Sequence, residues 1–203
     1  MKILVTGATG SQAKPVVFQL LEKGHEVLAF TRNKDKAKDL AAAGAVIVEG
    51  DLSVQEEVEK AVEQVEAIAL HIPFFTPNPL AVAHPIISAA QKENIDYIVW
   101  NTAGAIFPEK TGNPAYDVRL EVQKSLSKSG IQHTILQPTV YAENLLGPWT
   151  APMVKAENRV GYPVPSDFKI AWLPAADMAK AMVVALENKS LAGRNFIISG
   201  QQT

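Results

Sequence analysis

Gly7 and Gly10 stand three residues apart at the end of a short apolar run, residues 2–6, and that spacing is suited to holding a phosphate. Gly7 permits a tight turn and Gly10 lets backbone approach a pyrophosphate. Ala13 takes the position where close strand–helix packing usually asks for a third glycine. Over residues 11–23, Val16, Val17, Leu20 and Leu21 recur at helical spacing, so the unbonded N–H groups of the first turn point back at the glycines and favour an anion. Pro15 fits only near such a start, where a missing N–H costs little. The alternative is a glycine turn with no ligand. Against it, a second strand over 26–30 follows the turn at Gly24 and His25, completing a βαβ unit.

Further candidates lie at the ends of later strands. An acidic residue after the second strand would hold the ribose 2′-hydroxyl of NAD, and none is present. Thr31, Arg32, Asn33 and Lys34 follow instead; Arg32 and Lys34 offer cations to the 2′-phosphate of NADP, or else form an ordinary basic helix start. The expected cofactor is therefore NADP(H), preferred over NAD(H). Asp51 either accepts from an adenine amine or initiates the next helix. The fourth strand ends in His71-Ile72-Pro73 at the carboxyl edge, where open sheets bind ligands, and His71 reads as a structural residue whose backbone lines the cofactor. Asn101 and Thr102, after the fifth strand, either neighbour the nicotinamide ribose or cap their own loop. No catalytic residue is assigned.

These residues need a scaffold that brings strand ends together. Apolar β-type runs at 2–6, 26–30, 45–48, 67–72, 96–100, 133–136 and 195–198 alternate with helical patterns at 11–23, 34–43, 54–65, 80–93, 115–128 and 175–187. The alternation predicts an α/β fold: a Rossmann-like doubly wound, mainly parallel sheet of about seven strands, forming one domain over 1–203. Residues 141–174 are proline-rich, lack a long helix and carry Trp149, Tyr162, Phe168 and Trp172. They predict a small substrate lobe, whose aromatics either stack on a flat apolar acceptor or form the lobe's own core.

With 203 residues, 47% hydrophobic and 20% charged, the chain can bury one sizeable core. A net charge of −2 supplies no broad basic field, so neither nucleic acid nor an anionic membrane is an expected partner. The absence of cysteine excludes disulfides, thiolate metal sites and cysteine nucleophiles, and histidines at 25, 71, 84 and 133 have no metal-ligand spacing. The first apolar run is too short for a signal peptide, and the run at 67–72 is broken by His71 and Pro73, well short of a spanning helix. A cytoplasmic monomer or homodimer is the expectation.

Six stretches together resemble the atypical, NmrA-like branch of the short-chain dehydrogenase/reductases, including its small NADPH:quinone reductase-like members. They are TGATGSQA from Thr6, TRNKDKA from Thr31, EGDL from Glu49, SGIQHTILQP from Ser129, YAENLL from Tyr141 and the helix start Ala176-Asp177-Met178-Ala179. The resemblance runs nearly end to end. It implies NADP(H) along the carboxyl edge, with Gly7, Thr9, Gly10, Ser11, Gln12 and Ala13 at the phosphates and Leu52, Ile72, Pro73, Thr102, Arg119 and Pro138 farther along. It also implies an acceptor pocket beside Tyr141, Asn144 and Trp149.

Two departures from the family pattern bear on the reaction. Ordinary members pair a tyrosine acid with a lysine four residues on, whereas Tyr97, Tyr116, Tyr141 and Tyr162 are followed there by Asn101, Leu120, Leu145 and Ser166. Arg119 stands where relatives often carry lysine; it can orient a ribose or an anion but cannot shuttle a proton. The chain also stops five residues after its last predicted strand, where relatives commonly continue into more of the substrate lobe. The implied function is hydride transfer from NADPH to a small-molecule acceptor, a quinone or similar flat carbonyl compound whose anionic product water can protonate. The alternative is a non-catalytic NADP(H)-binding sensor acting through a protein partner. Epimerisation or dehydration needs the missing proton-transfer residues.

Overall fold

The computed structural model describes all residues except 64, 74–77, 149, 166 and 201–203. The seven predicted runs form one parallel sheet: β1 (Lys2–Val5), β2 (Glu26–Thr31), β3 (Val46–Glu49), β4 (Ala67–His71), β5 (Tyr97–Asn101), β6 (Gln132–Pro138) and, after two short strands, β9 (Asn195–Ile198). The short strands, β7 (Val140–Tyr141) and β8 (Trp172–Leu173), make a separate parallel pair. The main order is β3-β2-β1-β4-β5-β6-β9. The chain therefore changes direction of travel between β1 and β4, and the crevice opens outside their carboxyl ends.

Strand periodicity decides which helices cover which face. Ile3, Val5, Ala67 and Ala69 face α1 (Lys14–Glu22) and α7 (Ala175–Glu187), meeting Val16, Leu20, Met178 and Met182. Leu4, Ile68 and Leu70 face the opposite way, against Val58 of α3 (Gln55–Val62), Ile86 of α4 (Pro79–Lys92) and Val122 of α5 (Pro114–Lys128). Ala67 and Ala69 are fully buried. Each buried Val, Leu or Ile contributes about 1.5–3 kcal/mol, so both layers hold the strand ends firmly.

Two predicted helices differ in detail. The one expected over 11–23 begins only at Lys14, with Pro15 in its first turn. The one expected over 34–43 divides into a 3₁₀ turn, Lys34–Ala37, and a short α2, Lys38–Ala42, because the Asn33 side chain accepts the Asp35 N–H and tightens the start. In the small lobe a 3₁₀ turn, Ala142–Leu146, precedes α6 (Ala151–Glu157). The lobe is tied to the domain by Glu143, whose carboxylate oxygens accept the Ala175 N–H at 3.0 and 3.1 Å, an anion at the positive end of α7. Among the described residues no helix is long and apolar enough to cross a membrane, and no His, Asp and Glu group is placed to hold a metal ion.

Candidate functional site

The site starts where β1 ends. The Thr6 hydroxyl donates to the His71 carbonyl at 2.8 Å and accepts the His71 N–H at 2.7 Å, locking the tips of β1 and β4 together. Gly7 then turns with φ +61°, a conformation L side chains rarely adopt. The Gly10 N–H donates to Gly7 O at 2.8 Å and the Lys14 N–H to Gly10 O at 2.9 Å, winding the loop into α1. A Cβ at Gly10 would lie 3.1 Å from Gly7 O, so a side chain there would push the loop open. Among the described residues the N–H groups of Thr9, Ser11, Gln12 and Ala13 have no acceptor, and they gather at the positive end of α1. Ala13 itself is buried in the core beneath, which accommodates its methyl group.

This loop opens onto a cleft of about 910 Å³ along the carboxyl edge. Of the residues expected at the cofactor, Gly7, Thr9, Gly10, Arg32, Asp51, Leu52 and Pro73 line it, whereas Ser11, Gln12, Ala13, His71, Ile72, Asn101, Thr102, Arg119 and Pro138 do not. Asp51 accepts the Ser53 N–H at 2.8 Å and the Ser53 hydroxyl at 2.7 Å; these bonds, with a smaller contribution from the Arg32 charge, hold its carboxyl below its ordinary pKa. Asp51 thus shapes its own turn while facing the cleft. Lys34 departs from expectation: its ammonium pairs with Glu49 at 3.6 Å and it does not line the cleft, whereas Lys36 does. Sequence reading treated 34–43 as one helix and so missed Lys36. The signal was Asn33, a capping residue that winds the next four residues tightly.

Behind the loop lies a buried polar cluster. His71 is 6% exposed, and among the described residues neither ring nitrogen has a hydrogen-bond partner; burial pushes its pKa down to about 4, so the ring is neutral near pH 7. Asn101 donates to the Tyr141 hydroxyl at 2.9 Å and to Gln12 Oε1 at 3.4 Å, and accepts the Ala103 N–H at 2.9 Å. Tyr141, expected beside the acceptor, is instead a core residue at 5% exposure, its hydroxyl pKa raised by burial. Pairing of β7 with β8 turns its ring inward. Pro138 is buried at the tip of β6 beside Ile198. Asn144 donates to the Tyr162 hydroxyl at 3.1 Å, and Tyr162 meets Trp172 edge-on at 5.0 Å, so these half-buried residues contact one another. Trp149 lies outside the described residues.

Arg119 is 6% exposed and serves the loop after β5. Its Nε donates to Thr102 O at 2.8 Å, and its terminal nitrogens donate to Ala115 O at 2.6 Å and Ala103 O at 3.4 Å, across a turn in which Ala103 has φ 54°. Beside it, between the starts of α4 and α5, is a mostly apolar pocket of about 380 Å³ bordered by Ile72, Thr102, Trp100, Val118 and Arg119. Ile72, Pro73, Thr102 and Arg119, expected from the sequence along the cofactor, stand on its wall, whereas Trp100, Val118 and Val122 read there as core residues.

A parallel sheet with this strand order, a glycine loop running into α1 and a cleft along the carboxyl edge define a Rossmann-like α/β fold of the kind that binds dinucleotides. The chain belongs to the NmrA-like family, whose model matches residues 1–201. It is 26% identical over its whole length to the photosystem II assembly factor Ycf39 of Synechocystis sp.. It is also 26% identical to quinone oxidoreductase 2 of Escherichia coli, over 98% of the chain and 68% of that protein. The crystal structure of the Escherichia coli NADPH-dependent quinone oxidoreductase QOR2 complexed with NADPH superposes with a TM-score of 0.83 at 27% identity, covering 98% of this chain and 69% of that one. The chain spans 63% and 65% of the length of two Ycf39 relatives, from Synechocystis sp. and Trieres chinensis.

Proposed function

We propose that the chain binds NADP(H) in preference to NAD(H) along the carboxyl edge and reduces a small flat carbonyl acceptor such as a quinone. The observation that supports this reading is the set of N–H groups at Thr9, Ser11, Gln12 and Ala13 that have no acceptor among the described residues, at the start of α1 and beside a cleft lined by Gly7, Thr9, Gly10, Arg32 and Lys36. Those N–H groups would hold the pyrophosphate. Arg32 and Lys36 would hold the 2′-phosphate, and Asp51 and Leu52 would border the adenine. When bound, the cofactor supplies the hydride; the protein supplies orientation and a dry edge. No tyrosine–lysine pair is needed if the acceptor's reduced form is an anion that water protonates.

A second reading, a non-catalytic cofactor sensor working through a protein partner, is favoured by the likeness to the Ycf39 assembly factor together with the missing acid–base pair. NADPH oxidation followed at 340 nm against quinones and other carbonyl compounds, beside calorimetric titration of both cofactors, separates the two. Turnover at enzyme-like rates supports the reductase, NADPH binding without turnover supports the sensor, and no dinucleotide binding refutes both. Gly10→Val in a folded protein is expected to abolish cofactor binding.

A further inference from the structure

Along β2, Val27, Ala29 and Thr31 point to the same face, and core packing alone asks for an apolar side chain at all three. Thr31 instead carries a hydroxyl there at 5% exposure, beside the cleft that it helps to line. That hydroxyl shares a hydrogen bond with the Thr9 hydroxyl of the phosphate loop at 3.1 Å and accepts the Asn33 N–H at 3.3 Å. The Thr31 carbonyl accepts the Gly50 N–H at 2.9 Å, which ties in the end of β3. One residue thus links the turns that follow β1, β2 and β3.

The linkage reaches the cations on the cleft wall. Asn33, held by Thr31 through its N–H, accepts the Asp35 N–H on its side chain at 2.9 Å and starts the 3₁₀ turn that brings Lys36 to the cleft. Arg32 lies between the two joined residues. The phosphate loop is fixed to β2 by the Ala8 N–H donating to Phe30 O at 3.1 Å and, nearer the cations, by the Thr9 and Thr31 hydroxyls.

From this geometry we infer that Thr31 is a positioning residue for NADP(H), spacing Arg32 and Lys36 from the phosphate loop so that pyrophosphate and 2′-phosphate are held at once; the inference rests on the proposed preference for NADP(H). NADPH places a phosphate at each end of that span, whereas NADH lacks the 2′-phosphate and engages the loop end alone. A shift of the turn after β2 therefore costs NADPH more than NADH. An uncharged side chain carries part of the discrimination by holding the cations in place before the cofactor arrives, which spares binding the cost of ordering them.

The test is calorimetric titration of NADPH and NADH into wild type, Thr31→Val, Thr31→Ser and Thr9→Val, each checked for folding by circular dichroism. Thr31→Val keeps the branched shape and removes the hydroxyl; it is expected to lower the ratio of NADPH to NADH affinity roughly three- to tenfold, the value of one neutral hydrogen bond. Thr31→Ser restores the hydroxyl and is expected to return the ratio to within about twofold of wild type, which a mere loss of strand packing would not do. Thr9→Val cuts the same pair from the loop side and is expected to lower the ratio in the same range; any contact it loses to the pyrophosphate is common to both cofactors and cancels. It carries the test if Thr31→Val does not fold. The inference is overturned if a folded Thr31→Val keeps the wild-type ratio, even with both affinities reduced, if Thr31→Ser behaves as Thr31→Val does, or if Thr9→Val keeps the wild-type ratio. A wild type that binds NADPH no better than NADH refutes the proposed cofactor preference and the inference with it, whereas a wild-type preference that survives in the valine variants refutes the inference alone.

Discussion

Replacing His71 by leucine tests whether the buried imidazole governs stability in mild acid. The ring is 6% exposed, has no hydrogen-bond partner at either nitrogen among the described residues, and its pKa is lowered from 6.5 to about 4 by burial. The unfolded chain therefore takes up a proton below pH 6.5 that the folded chain refuses until about pH 4, and stability falls as pH drops through that window. The difference of about 2.5 units corresponds to roughly 3 kcal/mol in total, and to about 2 kcal/mol between pH 7 and pH 5. Above pH 6.5 the penalty fades because both states are neutral. Asp39, Asp51, Glu59, Asp117, Glu121 and Glu187 all have lowered pKa values, so their stabilising contributions are lost only below their ordinary values of 3.8 to 4.5, outside the tested interval. Urea unfolding of wild type and His71→Leu at pH 7 and pH 5 measures the effect. The variant is expected to lose about 2 kcal/mol less than wild type over that interval. Equal losses would show that the imidazole reaches water or a partner in solution, refuting the burial argument.

Arg32→Ala is expected to weaken NADPH roughly tenfold to hundredfold, the value of one charge-assisted hydrogen bond, while leaving NADH nearly unchanged; raised salt should erode the same preference, and titration with both cofactors reads it. Equal losses for the two cofactors would make Arg32 a solvated helix-start residue. Tyr116→Phe and Tyr141→Phe are each expected to lower quinone turnover by far less than the ~10²–10⁴-fold typical of losing a general acid, because Tyr116 has no lysine one turn on and Tyr141 is bonded to Asn101. Steady-state rates check this, and a loss within that range restores a tyrosine acid. Glu143→Ala is expected to cost about 1–2 kcal/mol in urea unfolding, by removing the carboxylate from the start of α7; an unchanged midpoint would show that the lobe is held by other contacts.

The sequence by itself determined the scaffold and half of the site. Apolar runs of strand length alternating with helical spacing leave little choice but a doubly wound sheet, and Gly7 and Gly10 encode a local backbone path that needs no distant partner. Arg32 and Asp51 reach the cleft for the same reason: each follows a strand directly, so its position is fixed by where that strand ends. Only the tertiary structure decided the rest. The choice of Lys36 over Lys34 depends on how tightly Asn33 winds the following turn and on Glu49 arriving from β3 to pair with Lys34. Tyr141 became a core residue because β8, about thirty positions later, pairs with β7 and turns the ring inward. The place of Arg119 depends on contacts between the loop after β5 and α5. A residue's type and local period say that it will be buried; which partner its polar atom meets depends on elements the sequence brings in from elsewhere.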